Sequence, residues 1–175
     1  MGLILVLNCI TTVPTGFVGV KTRFGKVQAD VIQEGLNTKV PFIEKIVKID
    51  CKTQKLEVES NTASKDLQDV NLKVAINYNV IKDTANTLYK EIGKKYEDIV
   101  VNPAILESVK SVTAQYTAEE LITKRAEVSS KMQEVLKGKI ENKGFNVVDF
   151  NVTDLNFSDA YNQAIEKKQV AEQEA

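Results

Sequence analysis

Between Val70 and Val80 the chain alternates: Val70, Leu72, Val74, Ile76, Tyr78 and Val80 are apolar, and Asn71, Lys73, Asn77 and Asn79 fall between them, with the small Ala75. A helix would scatter these apolar side chains around its circumference, whereas an extended strand puts all of them on one face. One face then meets a core and the other meets water, which is the habit of an antiparallel sheet. A second alternating run, Lys45 to Glu59, places Val47, Ile49 and Cys51 on one parity and Leu56 and Val58 on the other. That switch predicts a β-bulge. The polar stretch Ser60 to Asp69 joins the two runs as a hairpin-like connection. Upstream, Gly16, Gly19 and Gly25 punctuate short apolar runs, which predicts short strands and tight turns.

The second half changes period. Asn102-Pro103 reads as an N-cap followed by a first-turn proline, and Ile105, Val109, Val112 and Tyr116 recur at helical offsets. Thr117 to Glu120 is a T-x-x-E capping box. It opens a longer amphipathic stretch through Leu121, Val128, Met132, Val135, Leu136 and Ile140, which ends at the C-capping candidate Gly144. Phe145 to Phe157 returns to strand character. The order β, β, α, α, β predicts an α+β fold: an antiparallel sheet with helices packed on one face.

The two ends differ from this body. Residues Gly2 to Val13 carry no charge, and Leu3, Ile4, Leu5, Val6, Leu7 and Ile10 are nearly contiguous. A spanning helix needs about 20 apolar residues and a signal peptide needs a basic start, so the run reads as the end of a longer membrane segment. A buried β-strand is the alternative. Met1-Gly2 lacks the Ser or Thr expected in a myristoylation signal, and Asn8-Cys9 is a poor lipoprotein context. At the other end Ser158 can cap a last helix in which Tyr161, Ala164, Lys168, Ala171 and Ala175 fall at heptad-like spacing among Glu, Lys and Gln. The pattern stops unfinished, as the opening of a coiled coil. The expected organisation is therefore a residual anchor over 1–13, a domain over 14–157 and the start of a coiled-coil helix over 158–175.

Composition narrows the chemistry. The chain has no His, which removes the histidine-dependent nucleophile arrangements and most zinc and haem sites. Its 23 Lys and Arg against 24 Asp and Glu, interleaved in sign, give no field for a nucleic acid. Cys9 and Cys51 suggest neither a disulfide framework nor a metal spacing. Glu119-Glu120 and Glu97-Asp98 sit at helix starts, where they complement the macrodipole. Gly16-Phe17-Val18-Gly19 is not followed by the helix that would present amides to a phosphate. No nucleophile, base and oxyanion site assembles, so neither catalysis nor a cofactor is expected. Lys21, Arg23 and Lys26 form a small basic cluster just past the leader, placed to meet anionic headgroups at about 1 kcal/mol each or to be ordinary solvated strand faces.

Several motifs in register resemble one family. Val13-Pro14-Thr15-Gly16-Phe17-Val18-Gly19-Val20 and Arg23-Phe24-Gly25-Lys26-Val27 resemble the opening of the stomatin/prohibitin/flotillin domain, SPFH or band 7. Glu34-Gly35-Leu36-Asn37 and Val40-Pro41-Phe42-Ile43-Glu44 look like its Pro-Gly-Leu and Pro-Phe elements, with Gln33-Glu34 where a Pro is often found. From Ala104 onward the likeness narrows to prohibitins, through Ser111 to Tyr116, Ala118 to Arg125, and Gln169 to Ala175.

The resemblance implies a membrane-anchored, non-catalytic scaffold. Its members assemble through a coiled coil into rings or cages, organise membrane microdomains, and confine or regulate membrane proteins, including AAA-type proteases. They occur on either side of membranes. On that reading Leu3 to Leu7 and Ile10 touch lipid, Lys21, Arg23 and Lys26 touch headgroups, and Tyr161, Ala164, Lys168, Ala171 and Ala175 pack copies of the chain together. The alternative is a regulatory module that docks on one membrane protease or channel without closing an assembly.

Overall fold

The computed structural model describes residues 1–174, of which positions 159–162, 164, 165, 172 and 174 are described through the backbone alone. The fold is α+β, and it divides into two compact units, one built from Met1–Gln54, Tyr78–Val101 and Ile140–Val148, the other from Lys55–Asn77, Asn102–Lys139 and Asp149–Ala175. Where one sheet is expected, three are found.

The first unit begins with helix α1 (Gly2–Asn8), in which no residue is buried. Strand β1 (Ile10–Val13) follows and pairs antiparallel with β4 (Gly35–Thr38), in the register Ile10↔Thr38 to Val13↔Gly35. Of this strand only Val13 is buried, so the buried-strand alternative for the leader fails. A three-stranded sheet runs β3-β2-β5, with β2 (Phe17–Arg23) antiparallel to both β3 (Lys26–Ile32) and β5 (Glu44–Asp50). The β2–β3 register slips between Val20 and Thr22, a bulge with no signature in the apolar pattern.

The bulge expected within Lys45 to Glu59 is instead a break: β5 ends at Asp50 and β6 (Gln54–Ala63) begins a different sheet. Cys51 N–H donates to Gly16 O at 2.9 Å and Lys52 N–H to Asp50 Oδ1 at 2.9 Å, which shapes the turn. The chain resets its parity by changing sheets, and a parity switch in sequence cannot tell that from an inserted residue.

Helix α2 (Ala85–Glu91) had no counterpart in the periodicity. Its Asn86 side chain donates to the carbonyls of Gln28 at 3.3 Å and Ala29 at 2.7 Å, holding the helix on β3. Gly144, at φ 98°, has the left-handed backbone of a helix terminator, and its carbonyl accepts from Ile81 N–H at 2.9 Å. Phe145 packs beside Tyr78 and Tyr96, with ring centroids 6.1 and 5.5 Å away.

The alternating run, whose Val70 to Asn77 part belongs to the second unit, does what its period dictates. Strand β7 (Asp69–Val80) buries every even position. It lies between β6 and β8 (Phe145–Phe157). The β6–β7 connection is too short for a parallel crossover. On the other side, Ser158 N–H meets Asp69 O and Thr153 Oγ1 meets Lys73 O, so residue numbers rise on one strand as they fall on the other. Along β8 the buried phase slips by one residue near Asp149 and again near Asp154. Beyond the slip, helix α5 (Arg125–Ile140) reaches the strand: Ser129 Oγ donates to Phe150 O at 3.1 Å and Arg125 to Val152 O at 2.7 Å.

The helix boundaries hold two corrections. Asn102 is not a cap, because a π-helical turn over Glu97–Val101 runs directly into α3 (Asn102–Thr113). Its Oδ1 is buried and, among the described residues, unpartnered. The long second helix is two: α4 (Ala118–Thr123) stops at Lys124, and α5 begins at the next residue. Thr117 does cap α4, accepting from Glu120 N–H at 3.2 Å, while Asp66 Oδ1 accepts from Ala118 N–H at 3.0 Å. Helix α6 (Asp159–Glu174) closes the chain, and no coiled-coil packing of it is shown.

Candidate membrane-facing site

The leader residues expected to touch lipid lie on α1 and at the start of β1. Leu3, Ile4, Leu5, Val6 and Leu7 are all exposed on α1, as is Ile10 at the start of β1. Among the described residues no helix is long and apolar enough to cross a membrane. Of the positions expected to pack copies together, Lys168 and Ala171 are exposed on α6. The side chains of Tyr161 and Ala164, and the whole of Ala175, lie outside what is described.

Two further apolar residues belong to the same end of the first unit, and no periodicity could have found them. Phe24 and Gly25 form the two-residue turn between β2 and β3, with φ 50° and 81°, the positive pair that tight hairpins favour. Phe42 holds φ 69° in the turn before β5. A bulky residue with positive φ is strained, yet these rings are 80% and 92% exposed and gain no core contact for it. The turns adjoin, since Phe24 N–H donates to Ile43 O at 2.9 Å. Lys39 N–H donates to Cys9 O at 2.7 Å, which ties the same stretch to the end of α1. Val40 and Ile10, both exposed, fall between. The available sequence signal was Phe-Gly at a hairpin tip, where Asn-Gly or Asp-Gly is usual.

The basic cluster is organised by one acid. Lys21 Nζ lies 3.3 Å and Arg23 3.2 Å from the carboxylate of Glu44, which is only 7% exposed, and Glu44 Oε2 also accepts from Val40 N–H at 3.2 Å. One carboxylate thus fastens both the strand that ends just before Phe24 and the loop that carries Phe42. Lys26, paired with Arg23 across the hairpin, is exposed. The Val40 amide holds the Glu44 carboxyl below its ordinary value, helped by Lys21 and Arg23 and opposed by burial. A folded-state value below the unfolded one contributes stability above about pH 4.5 and loses it as pH falls through the lowered value. Thermal melts between pH 7 and 3 should therefore show an acid loss of stability that is shallower in Glu44→Gln, because glutamine cannot titrate.

Little here suits covalent chemistry. Burial pushes the Cys51 thiol up to about 11, so the thiolate is scarce at neutral pH. Burial, and then its hydrogen bond to Glu97, keep the Tyr78 hydroxyl protonated. Among the described residues no three Cys, Asp or Glu side chains gather as metal ligands.

The model of the SPFH domain / Band 7 family matches residues 11–175, nearly the whole chain. The chain belongs to this family. Among curated relatives, this SPFH chain is 33% identical over 176 residues to Prohibitin-1 of Schizosaccharomyces pombe, covering all of the chain and 62% of that protein. It is 35% identical over 153 residues to Prohibitin 1 of Mus musculus and 34% over 154 to Prohibitin-2 of the same organism. Each covers 87% of this chain, and 56% and 52% of those proteins respectively. The SPFH chain thus spans between about half and three-fifths of the length of the curated relatives it matches.

Proposed function

We propose that this SPFH chain is the membrane-proximal part of a non-enzymatic scaffold that associates with copies of itself and confines or regulates membrane proteins, AAA-type proteases among them. The observation that carries the reading is α1: a charge-free helix whose apolar residues Leu3 to Leu7 are all exposed needs an apolar phase to cover it. Family membership and the likeness to prohibitins support the scaffold role. The mechanism is additive. Each subunit contributes a weak lipid contact through α1 and a weak lateral contact through α6, and assembly multiplies them through effective concentration. A charged, Ala-rich helix without a strong apolar face buries little by itself, so lateral packing of α6 is expected to depend on crowding at a surface. Microdomain organisation follows from such crowding.

Light scattering in solution, combined with chemical crosslinking on anionic vesicles, tests this with the chain as it stands and with residues 159–175 removed. The expected result is a monomer in solution and, on vesicles, a crosslinked ladder that the deletion abolishes. Vesicle-bound single subunits would favour a docking module for one membrane protein. Failure to bind vesicles would remove the scaffold reading for this chain.

A further inference from the structure

We propose that the two clefts flanking Asn156 and Phe157, at the end of β8, form one binding site for the carboxyl-terminal end of an extended polypeptide whose last residue is aliphatic. This rests on the reading above that the chain holds other proteins, and it adds which part of a partner is gripped.

The first observation is an apolar cleft with a cation in its wall. Ile122, Leu155 and Phe157 line a space of about 310 Å3 together with Asn156 and Arg125. Leu155 and Phe157 are half-buried, and Ile122 is 50% exposed although Leu121 beside it on α4 is fully buried. The cleft has room for one aliphatic residue, and Arg125 is the one charged group in its lining. Its guanidinium donates to Val152 O at 2.7 Å, which anchors it, and its other N–H groups have no protein acceptor among the described residues. A guanidinium held through a single bond still presents a planar pair of donors, the arrangement that receives a carboxylate.

The second observation is a polar continuation. Asn156 and Phe157 also line a cleft of about 450 Å3 that Asn61, Asn71 and Asp69 share. Asn71 donates to Glu59 Oε1 at 3.1 Å and to Asn61 Oδ1, so its own carbonyl oxygen and the Asn61 amide hydrogens stay available. The Asn156 side chain makes no hydrogen bond to protein among the described residues. Amides offer donors and acceptors side by side, as does an extended backbone. A lone aliphatic acid would fill the first cleft and lay methylenes on these amides, whereas a polypeptide end satisfies both clefts.

The third is polarity. Arg125 belongs to the apolar cleft and Asp69 to the amide-lined one, so the two charges in these linings are of opposite sign and lie in different clefts. They give the site a direction: the terminal carboxylate goes to Arg125, and upstream N–H groups go to Asp69. All of these residues belong to the second unit, so one compact body carries the whole site.

The test uses the full chain, without vesicles, and a fluorescein-labelled hexapeptide ending in Ser-Thr-Leu, made with a free carboxyl and as its carboxyl-terminal amide. Fluorescence anisotropy should show the free acid binding about tenfold or more tightly than the amide. Arg125→Gln should bring the acid down to the level of the amide, and Arg125→Lys should restore part of the difference. Asn156→Ala should weaken both peptides alike, by about threefold. The comparison of acid with amide is made on the unaltered chain, so it stands whatever Arg125→Gln does to folding. Equal affinity for acid and amide, or binding of neither, would overturn the proposal. Binding of octanoate with no binding of either peptide would replace the polypeptide by a lipid acid. None of these outcomes alters vesicle binding or crosslinking, so the scaffold reading stands or falls separately.

Discussion

Phe145→Ala should destabilise the first unit by about 3–5 kcal/mol, the range for deleting a large buried ring. Phe145 is fully buried, and its ring is flanked by Tyr78 and Tyr96 in tilted, edge-type contacts. Truncation removes the transfer energy of the ring and opens a cavity between two tyrosines. Urea unfolding followed by tyrosine signal measures it: the midpoint should fall with little change in slope, and Phe145→Leu should recover part of the loss. A change under about 1 kcal/mol would mean that the site collapses to fill the space, against the close packing described.

Gly19→Val is expected to be the second most damaging single change. The mechanism is reversed, since there is no room to fill. A Cβ at position 19 would lie 2.8 Å from Ile46 Cγ2, 2.9 Å from Ile32 Cβ and 3.3 Å from Val13 Cγ2. Ile32 Cβ is close to its own backbone and cannot rotate away. Overpacking of this kind costs about 1–3 kcal/mol for one or two methyl groups, and valine brings three carbons. Gly19→Ala should fall below Gly19→Val in cost, and thermal melting of the two variants gives the order. Gly19 has an ordinary backbone, so the requirement is space and not conformation; it comes from the third-strand neighbours that β2 gains at the centre of β3-β2-β5.

The parts of this fold that sequence could reveal are those where a local period suffices. Strand β7 and the bounds of β8 follow from alternation and apolar content, and α4 begins at the expected cap. What sequence could not reveal depends on partners distant along the chain. The division into three sheets is invisible because the Asp50-to-Gln54 turn looks like a slip in one strand. The π turn at Glu97–Val101 hides the start of α3, since Asn102-Pro103 carries the same letters whether it opens a helix or continues one. Helix α2 is short, with little apolar content of its own, and Asn86 is its clasp to β3. At the candidate site the exposed leader was legible as a charge-free run. Phe24 and Phe42 were not: an aromatic residue beside a glycine or proline reads as core until its backbone is seen to turn it outward. Lys21 and Arg23 were legible as cations, but their shared carboxylate needed the β2–β5 pairing that brings Arg23 opposite Glu44.

The bonds from Ser129 and Arg125 to the carbonyls of Phe150 and Val152 matter most when many copies stand side by side. Strand β8 ends its sheet, and a bare end is a template on which another chain can add a strand, and then another. By occupying two successive acceptors along that border, α5 denies a foreign strand the ladder it would need. A second copy pressed against that border finds two of its acceptors already taken.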